Sequence, residues 1–86
     1  LSTASAAFAA PPALTVVGTV VNARGEGLPG VNVLEKNTRN GTTTDATGRY
    51  RLTVADGAVL LFSSVGYLPQ EIAVGNRTDV NVTLQD

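Results

Sequence analysis

From Leu14 onward the chain consists of short runs rich in Val, Leu and Thr, separated by turn residues about every 8–12 positions. The clearest run is 49–54, in which Tyr50, Leu52 and Val54 alternate with polar residues. Successive side chains of a strand point to opposite faces, so this run predicts a strand with one buried face. No stretch of the chain repeats apolar residues at the helical period.

The same pattern predicts seven strands, at residues 15–22, 31–37, 41–45, 49–54, 58–64, 70–74 and 79–84. The most apolar run, 58–64, is expected to be a central strand buried on both sides, with Leu60 and Phe62 on its core face. In the last strand Val80, Val82 and Leu84 should face inward. Because one-faced strands need a second layer to cover them, the pattern predicts an all-β, seven-stranded antiparallel β-sandwich.

The first thirteen residues differ from the remainder, since they are small, Ala-rich and uncharged. Ala7 and Ala9 have the Ala-x-Ala spacing of a cleavage site, and Pro11-Pro12 follows. We therefore expect residues 1–13 to be a residual signal peptide or a flexible linker, and residues 14–86 to be the folded domain. No later stretch approaches the ~18 apolar residues of a membrane-spanning helix, so no direct membrane insertion is predicted.

Composition changes the picture mainly through what is missing. Hydrophobic residues make up 43% and charged residues 15%, and the formal net charge is −1 without a basic patch, which gives no reason to expect nucleic acid as a partner. The chain has no His and no Cys, and so lacks the commonest general base, the commonest metal ligand and any thiolate. The prediction is a protein that is not an enzyme, with no catalytic, cofactor-binding or metal-binding residues.

Gly25, Gly27 and Gly30 form a G-x-G-x-x-G pattern. A dinucleotide site needs the last glycine to open a helix, but here Val-Asn-Val follows, which predicts a glycine-rich loop between strands. Ser63 and Ser64 lie in a predicted strand outside any G-x-S-x-G elbow, so they are expected to be ordinary strand hydroxyls.

Asp45 and Asp56 occupy predicted turns, where a short carboxylate accepts backbone N–H groups. The other internal carboxylates are scattered along the chain, which favours turn and strand-surface roles, although a glycosidase-like pair stays open. They are Glu26, Glu35, Glu71 and Asp79. Asn-x-Thr sequons begin at Asn40, Asn76 and Asn81 and would matter only in a eukaryotic secretory pathway.

Two further residue sets are candidates for special roles. Lys36 and Asn81 lie on the second and last predicted strands, where an amide cross-link helped by Glu35 is conceivable, but both alternate away from the core, which argues against that chemistry. Tyr67 follows Gly66 and is either a contact for sugar or a partner, or, as we favour, a ring packed at a strand corner with its hydroxyl bonded to backbone.

The order of the motifs resembles one known family. The pieces are V-x-G-x-V-x-N at 16–22, GEGLPGVNV at 25–33, NGTTTDATGRYRLTV at 40–54, GAVLLFSSVGY at 57–67 and VNVTL at 80–84. Together they resemble the carboxypeptidase-D regulatory-like domain, a transthyretin-like or Ig-like sandwich, over residues 15–84. Two positions depart from the family pattern: Glu35 stands where an apolar residue is common, and Leu28 stands where Pro is frequent.

Within that family the chain is most similar to the N-terminal extension of SusC/RagA-type TonB-dependent outer-membrane transporters. The resemblance implies a non-catalytic periplasmic accessory domain of a glycan or peptide importer, with the transporter plug and barrel or a TonB-type energy transducer as protein partners. The alternative is a structural or accessory module of a secreted peptidase or surface adhesin. A carbohydrate-binding module would need an exposed aromatic platform, for which the four aromatic residues offer little support.

Overall fold

The computed structural model describes residues 13–86. Within them lie seven strands and no helix, so this part of the chain has no helix that could cross a membrane. The strands are β1 (Ala13–Val21), β2 (Asn32–Glu35), β3 (Gly41–Thr43), β4 (Arg49–Ala55), β5 (Val59–Ser63), β6 (Gln70–Ala73) and β7 (Val82–Thr83). Each predicted strand is present, although β1 begins two residues earlier than predicted and the other bounds shift by up to three residues.

The strands form two sheets, one of order β4-β1-β7 and one of order β3-β2-β5-β6. The predicted all-β sandwich is confirmed. Four of the five strand pairs are antiparallel, but β7 runs parallel to β1, with Val20 opposite Val82. The sequence pattern could not show this direction, because the side-chain period of two is the same in parallel and antiparallel strands.

The core lies between the sheets and consists of the inward side chains of both. Every predicted core-facing residue of the alternating runs is buried, and Phe62, Leu60 and Leu84 are the largest side chains that are fully enclosed. The Phe62 ring meets the Tyr50 ring edge-on, with centroids 5.4 Å apart. The inward period of two therefore predicted the core correctly.

The prediction that 58–64 is buried on both sides is wrong. β5 is an inner strand of its sheet, but only Leu60 and Phe62 are enclosed, while Val59, Leu61 and Ser63 are half-buried on the outer face. A two-layer sandwich covers only one face of each sheet, so an apolar outer row stays in contact with solvent.

Candidate functional site

Within residues 13–86, the residues with reactive side chains are not gathered at one place. No group of three or more acidic side chains in residues 13–86 is arranged to hold a metal ion. Ser63 and Ser64 are half-buried at the end of β5. The glycine pattern at Gly25–Gly30 forms a loop between β1 and β2, as predicted, and Gly25 and Gly30 both have positive φ.

Asp45 performs the turn role that the sequence predicted for it. Its Oδ1 accepts the Thr47 N–H at 2.9 Å, the Thr47 hydroxyl at 2.8 Å and the Arg49 N–H at 3.0 Å. These hydrogen bonds, that of the hydroxyl first, hold the pKa of the Asp45 carboxyl below its usual value. Gly48, with φ 88°, completes the turn where a side chain would meet the backbone of Val20 and Leu28.

Glu35 ends β2 and reaches across to the other sheet. Its Oε1 accepts a hydrogen bond from the Asn40 side-chain amide at 2.9 Å, and its Oε2 accepts the Ala55 N–H at 3.3 Å. The same Asn40 amide donates to the Thr53 carbonyl at 2.6 Å. These hydrogen bonds explain why Glu35 replaces the apolar residue that is common at this position in the family: its carboxylate accepts an outward-facing backbone N–H group of the edge strand β4.

Lys36 and Asn81 belong to different sheets and have separate partners. Lys36 Nζ lies 3.0 Å from Glu71 Oε1 in an exposed ion pair between β2 and β6. Asn81 Oδ1 accepts the Thr19 N–H at 2.9 Å. The arrangement therefore gives no support to an amide cross-link between them.

Tyr50 carries a structural role that the sequence did not reveal. Its hydroxyl donates a buried 2.7 Å hydrogen bond to the Val80 carbonyl, and that carbonyl lies so close above Gly18 that a Cβ there would be 1.8 Å from it. Because the Val80 carbonyl turns inward, the Thr19 N–H donates its hydrogen bond to the Asn81 side-chain oxygen and not to that carbonyl. We call Gly18, Thr19, Tyr50, Val80 and Asn81 the Tyr50 clasp. It ties the C-terminal segment to β1.

The second tyrosine lies in the loop between β5 and β6. Tyr67 is half-buried and packs against the core, as predicted, and its hydroxyl has no hydrogen bond to another residue of 13–86. The same loop carries Val65 and Leu68, which are 99% and 62% exposed. Leu68 N–H donates to the Gln85 carbonyl at 2.7 Å, which places this apolar loop beside the end of the described chain.

Two depressions of the described surface meet at β3. One, of about 580 Å³, lies on the outer face of β2, β3 and β5, with Leu34 and Leu61 among its lining residues and Arg39 contributing to its wall. The other, of about 350 Å³, lies between β3 and β4 and is lined in part by Arg49 and Arg51. Thr42 and Thr43 belong to both. We call this combined surface the β3 surface.

The fold is a seven-stranded, Ig-like β-sandwich. The model of the CarboxypepD_reg-like domain matches residues 16–86, and this chain belongs to that family. The resemblance found in the sequence is therefore confirmed.

Curated relatives with this domain are TonB-dependent receptors. The chain is 44% identical over 71 residues to TonB-dependent receptor P39 of Formosa agariphila, and 40% identical over 73 residues to TonB-dependent receptor SusC of Bacteroides thetaiotaomicron. These matches cover 81% and 85% of this chain but only 7% of each relative.

Among solved structures, the fold is similar to a chain of a type II cohesin–X-dockerin complex from Acetivibrio cellulolyticus. The TM-score is 0.63 at 22% sequence identity, over 81% of this chain and 52% of the other. At that identity the likeness shows the sandwich fold alone.

Proposed function

We propose that this chain is a non-catalytic accessory domain of a TonB-dependent outer-membrane nutrient transporter, located at the periplasmic face of the outer membrane. The observation that carries the proposal is the 40–46% identity to TonB-dependent receptors over most of the chain. Its partners in this proposal are proteins, namely the plug and barrel of the transporter or a TonB-type energy transducer.

The arrangement of side chains supports a role in contact over a role in chemistry. The pKa values of Asp45 and Tyr50 are shifted from their usual range, and both side chains form hydrogen bonds that stabilise the fold. Both groups also line the depression between β3 and β4, but their hydrogen bonds within the fold occupy them, whereas catalytic groups are available to a substrate. Val65 and Leu68, which lie in one exposed loop, and the β3 surface are the surfaces on which a protein contact is proposed.

We also propose that residues 14–86, together with Ala13 at the start of β1, form the folded unit and that the residues before Ala13 are a signal remnant or linker. Ala13 pairs with Ala55 at the start of β1, so a deletion should stop before it. Removing residues 1–12 is expected to leave the melting temperature of the chain unchanged. A marked loss of stability would show that the leading segment contributes to the fold.

A domain exchange tests the transporter proposal. The segment of Bacteroides thetaiotaomicron SusC that matches this chain is deleted, or replaced by residues 14–86, and import by the receptor is measured in cells with outer-membrane abundance as a control. We expect the deletion to reduce import at equal abundance and the replacement to restore it. Full import by the receptor that lacks the segment would refute an accessory role of the domain in transport. If residues 14–86 do not restore import, this chain does not share the role of the SusC segment.

A further inference from the structure

The strand β3 is the open edge of its sheet. Asn40 and Thr44 bond β2 through their backbone, and Thr42 lies opposite Val33, so alternate residues of this segment face β2. The N–H and C=O groups of Gly41 and Thr43 therefore point away from the sheet. Neither residue's backbone has a further hydrogen bond within residues 13–86, so a short row of donors and acceptors is available along this edge.

The edges formed by β4 and β6 are closed to a larger extent than that of β3. The outward groups of β4 are bonded at both ends, by Asp45 at Arg49 and by the Glu35 and Asn40 side chains at Ala55 and Thr53. Such side-chain bonds block strand addition, because an incoming strand would have to displace them. At β6, the Arg77 guanidinium donates to the Ala73 carbonyl, which occupies one of the outward groups there as well.

Three arginines surround the open edge without an acidic partner. The ion pairs in residues 13–86 are Arg24 with Glu26 and Lys36 with Glu71, and Arg77 bonds backbone carbonyls. The remaining basic side chains are Arg39, Arg49 and Arg51, all exposed and all lining the β3 surface.

The β3 surface carries a net positive charge, whereas the whole chain is slightly negative. The one carboxylate that lines it, that of Asp45, shares the depression of Arg49 and Arg51 and already accepts three hydrogen bonds from its own turn. The formal net charge of the chain is −1, so a local excess of positive charge stands out against its surroundings. A surface of this sign attracts acidic partners and repels basic ones.

The outer face of the sheet beside the β3 edge is apolar. Leu34 and Leu61 are opposite each other on the outer face of the sheet and are only half-buried. Gly41 adds no side chain over Leu34, and a Cβ there would approach the Leu34 Cδ1 atom to 3.2 Å. Because Gly41 has no side chain, Leu34 stays accessible next to the unbonded backbone groups of β3.

We propose that the β3 surface binds an extended acidic peptide segment of a protein partner. Its backbone pairs with Gly41 and Thr43, an apolar side chain reaches over Gly41 to Leu34, and its carboxylates meet the guanidinium groups of Arg39, Arg49 and Arg51. Strand addition of this kind takes affinity from main-chain bonds and specificity from side chains. The inference rests on the proposed interaction function and names the surface and the chemistry of the partner.

Peptide binding to the 86-residue chain tests the inference directly. Fluorescein-labelled ten-residue peptides of alternating Asp and Val, or alternating Lys and Val, are titrated by fluorescence anisotropy. We expect the Asp peptide to bind at least tenfold more tightly than the Lys peptide, and its affinity to fall as salt is added. Amide NMR shifts should centre on Gly41 and Thr43. No binding of the Asp peptide, equal binding of both peptides, or shifts centred on Glu71 and Ala73 would overturn the inference.

Two triple variants of equal charge separate a specific site from general attraction. The first is R39Q/R49Q/R51Q, and the control is R24Q/K36Q/R77Q, with folding of both checked by melting curves. The first is expected to weaken binding of the Asp peptide at least tenfold, and the control less than threefold. Equal weakening by both would overturn the inference. A chain that restores import in the SusC exchange but fails these binding tests would refute this inference alone.

Discussion

Replacing Tyr50 by Phe tests whether the Tyr50 clasp holds the C-terminal segment in place. The substitution keeps the ring, which packs against Phe62, and removes only the hydroxyl that donates to the Val80 carbonyl at 2.7 Å. Tyr50 and Val80 are 5% and 2% exposed, so water does not readily replace the lost donor. Leaving a buried acceptor without its partner costs about 1–3 kcal/mol.

For a domain of this size, that loss lowers the melting temperature by about 4–8 °C for each kcal/mol. Thermal and urea unfolding, followed by circular dichroism, measure it. Tyr67→Phe is the matched control, since the Tyr67 hydroxyl has no hydrogen bond to another residue of 13–86, and its melting temperature is expected to stay within about 2 °C of the parent chain. Equal stability of Tyr50→Phe and the parent chain would refute the clasp.

The same hydroxyl predicts a dependence on alkaline pH. Burial, with a smaller contribution from the Asp79 charge, raises the pKa of Tyr50 to about 12, against about 10 in the unfolded chain. Because the folded pKa is the higher one, this stabilisation is complete below pH 10 and is lost as the pH rises toward 12. The two-unit difference corresponds to about 3 kcal/mol. Urea unfolding at pH 9 to 12 should show a steeper loss in the parent chain than in Tyr50→Phe, and parallel losses would contradict the assignment.

Three further predictions concern stability. Phe62→Ala removes a fully buried ring and is expected to cost about 3–5 kcal/mol in urea unfolding, whereas Val65→Ala, at an exposed position, should leave the midpoint nearly unchanged. Gly18→Ala sets a Cβ 1.8 Å from the Val80 carbonyl and is expected to lower the melting temperature by several degrees; an unchanged value would show that the segment shifts without strain. Asp45→Ala should make stability depend less on pH under acidic conditions. The lowered pKa of Asp45 stabilises the fold above about pH 4, and this contribution disappears as the pH falls through the pKa of the folded state. The same loss of stability at acidic pH in both chains would count against this role.

The sequence alone determined the sandwich and its core. Alternation along β4 and the last segment identified Tyr50, Leu52, Val80 and Leu84 as inward residues, because a strand's side-chain period depends only on local backbone geometry. The Asp45 turn was predictable for the same reason, since its hydrogen bonds reach no farther than Arg49. The family followed from the order of such local motifs.

Only the tertiary structure decided which strands are neighbours and in which direction they run. The parallel pairing of β7 with β1, the bond from Tyr50 to Val80 and the reach of Glu35 to Ala55 join residues far apart in the chain. The β3 surface arises in the same way: Arg39 lies in the turn between β2 and β3, Arg51 lies on β4 of the other sheet, and their positive charge becomes one surface only when the sheets are stacked. A one-dimensional pattern records the sign of each charge, but the distance between charges is set by the packing of the layers.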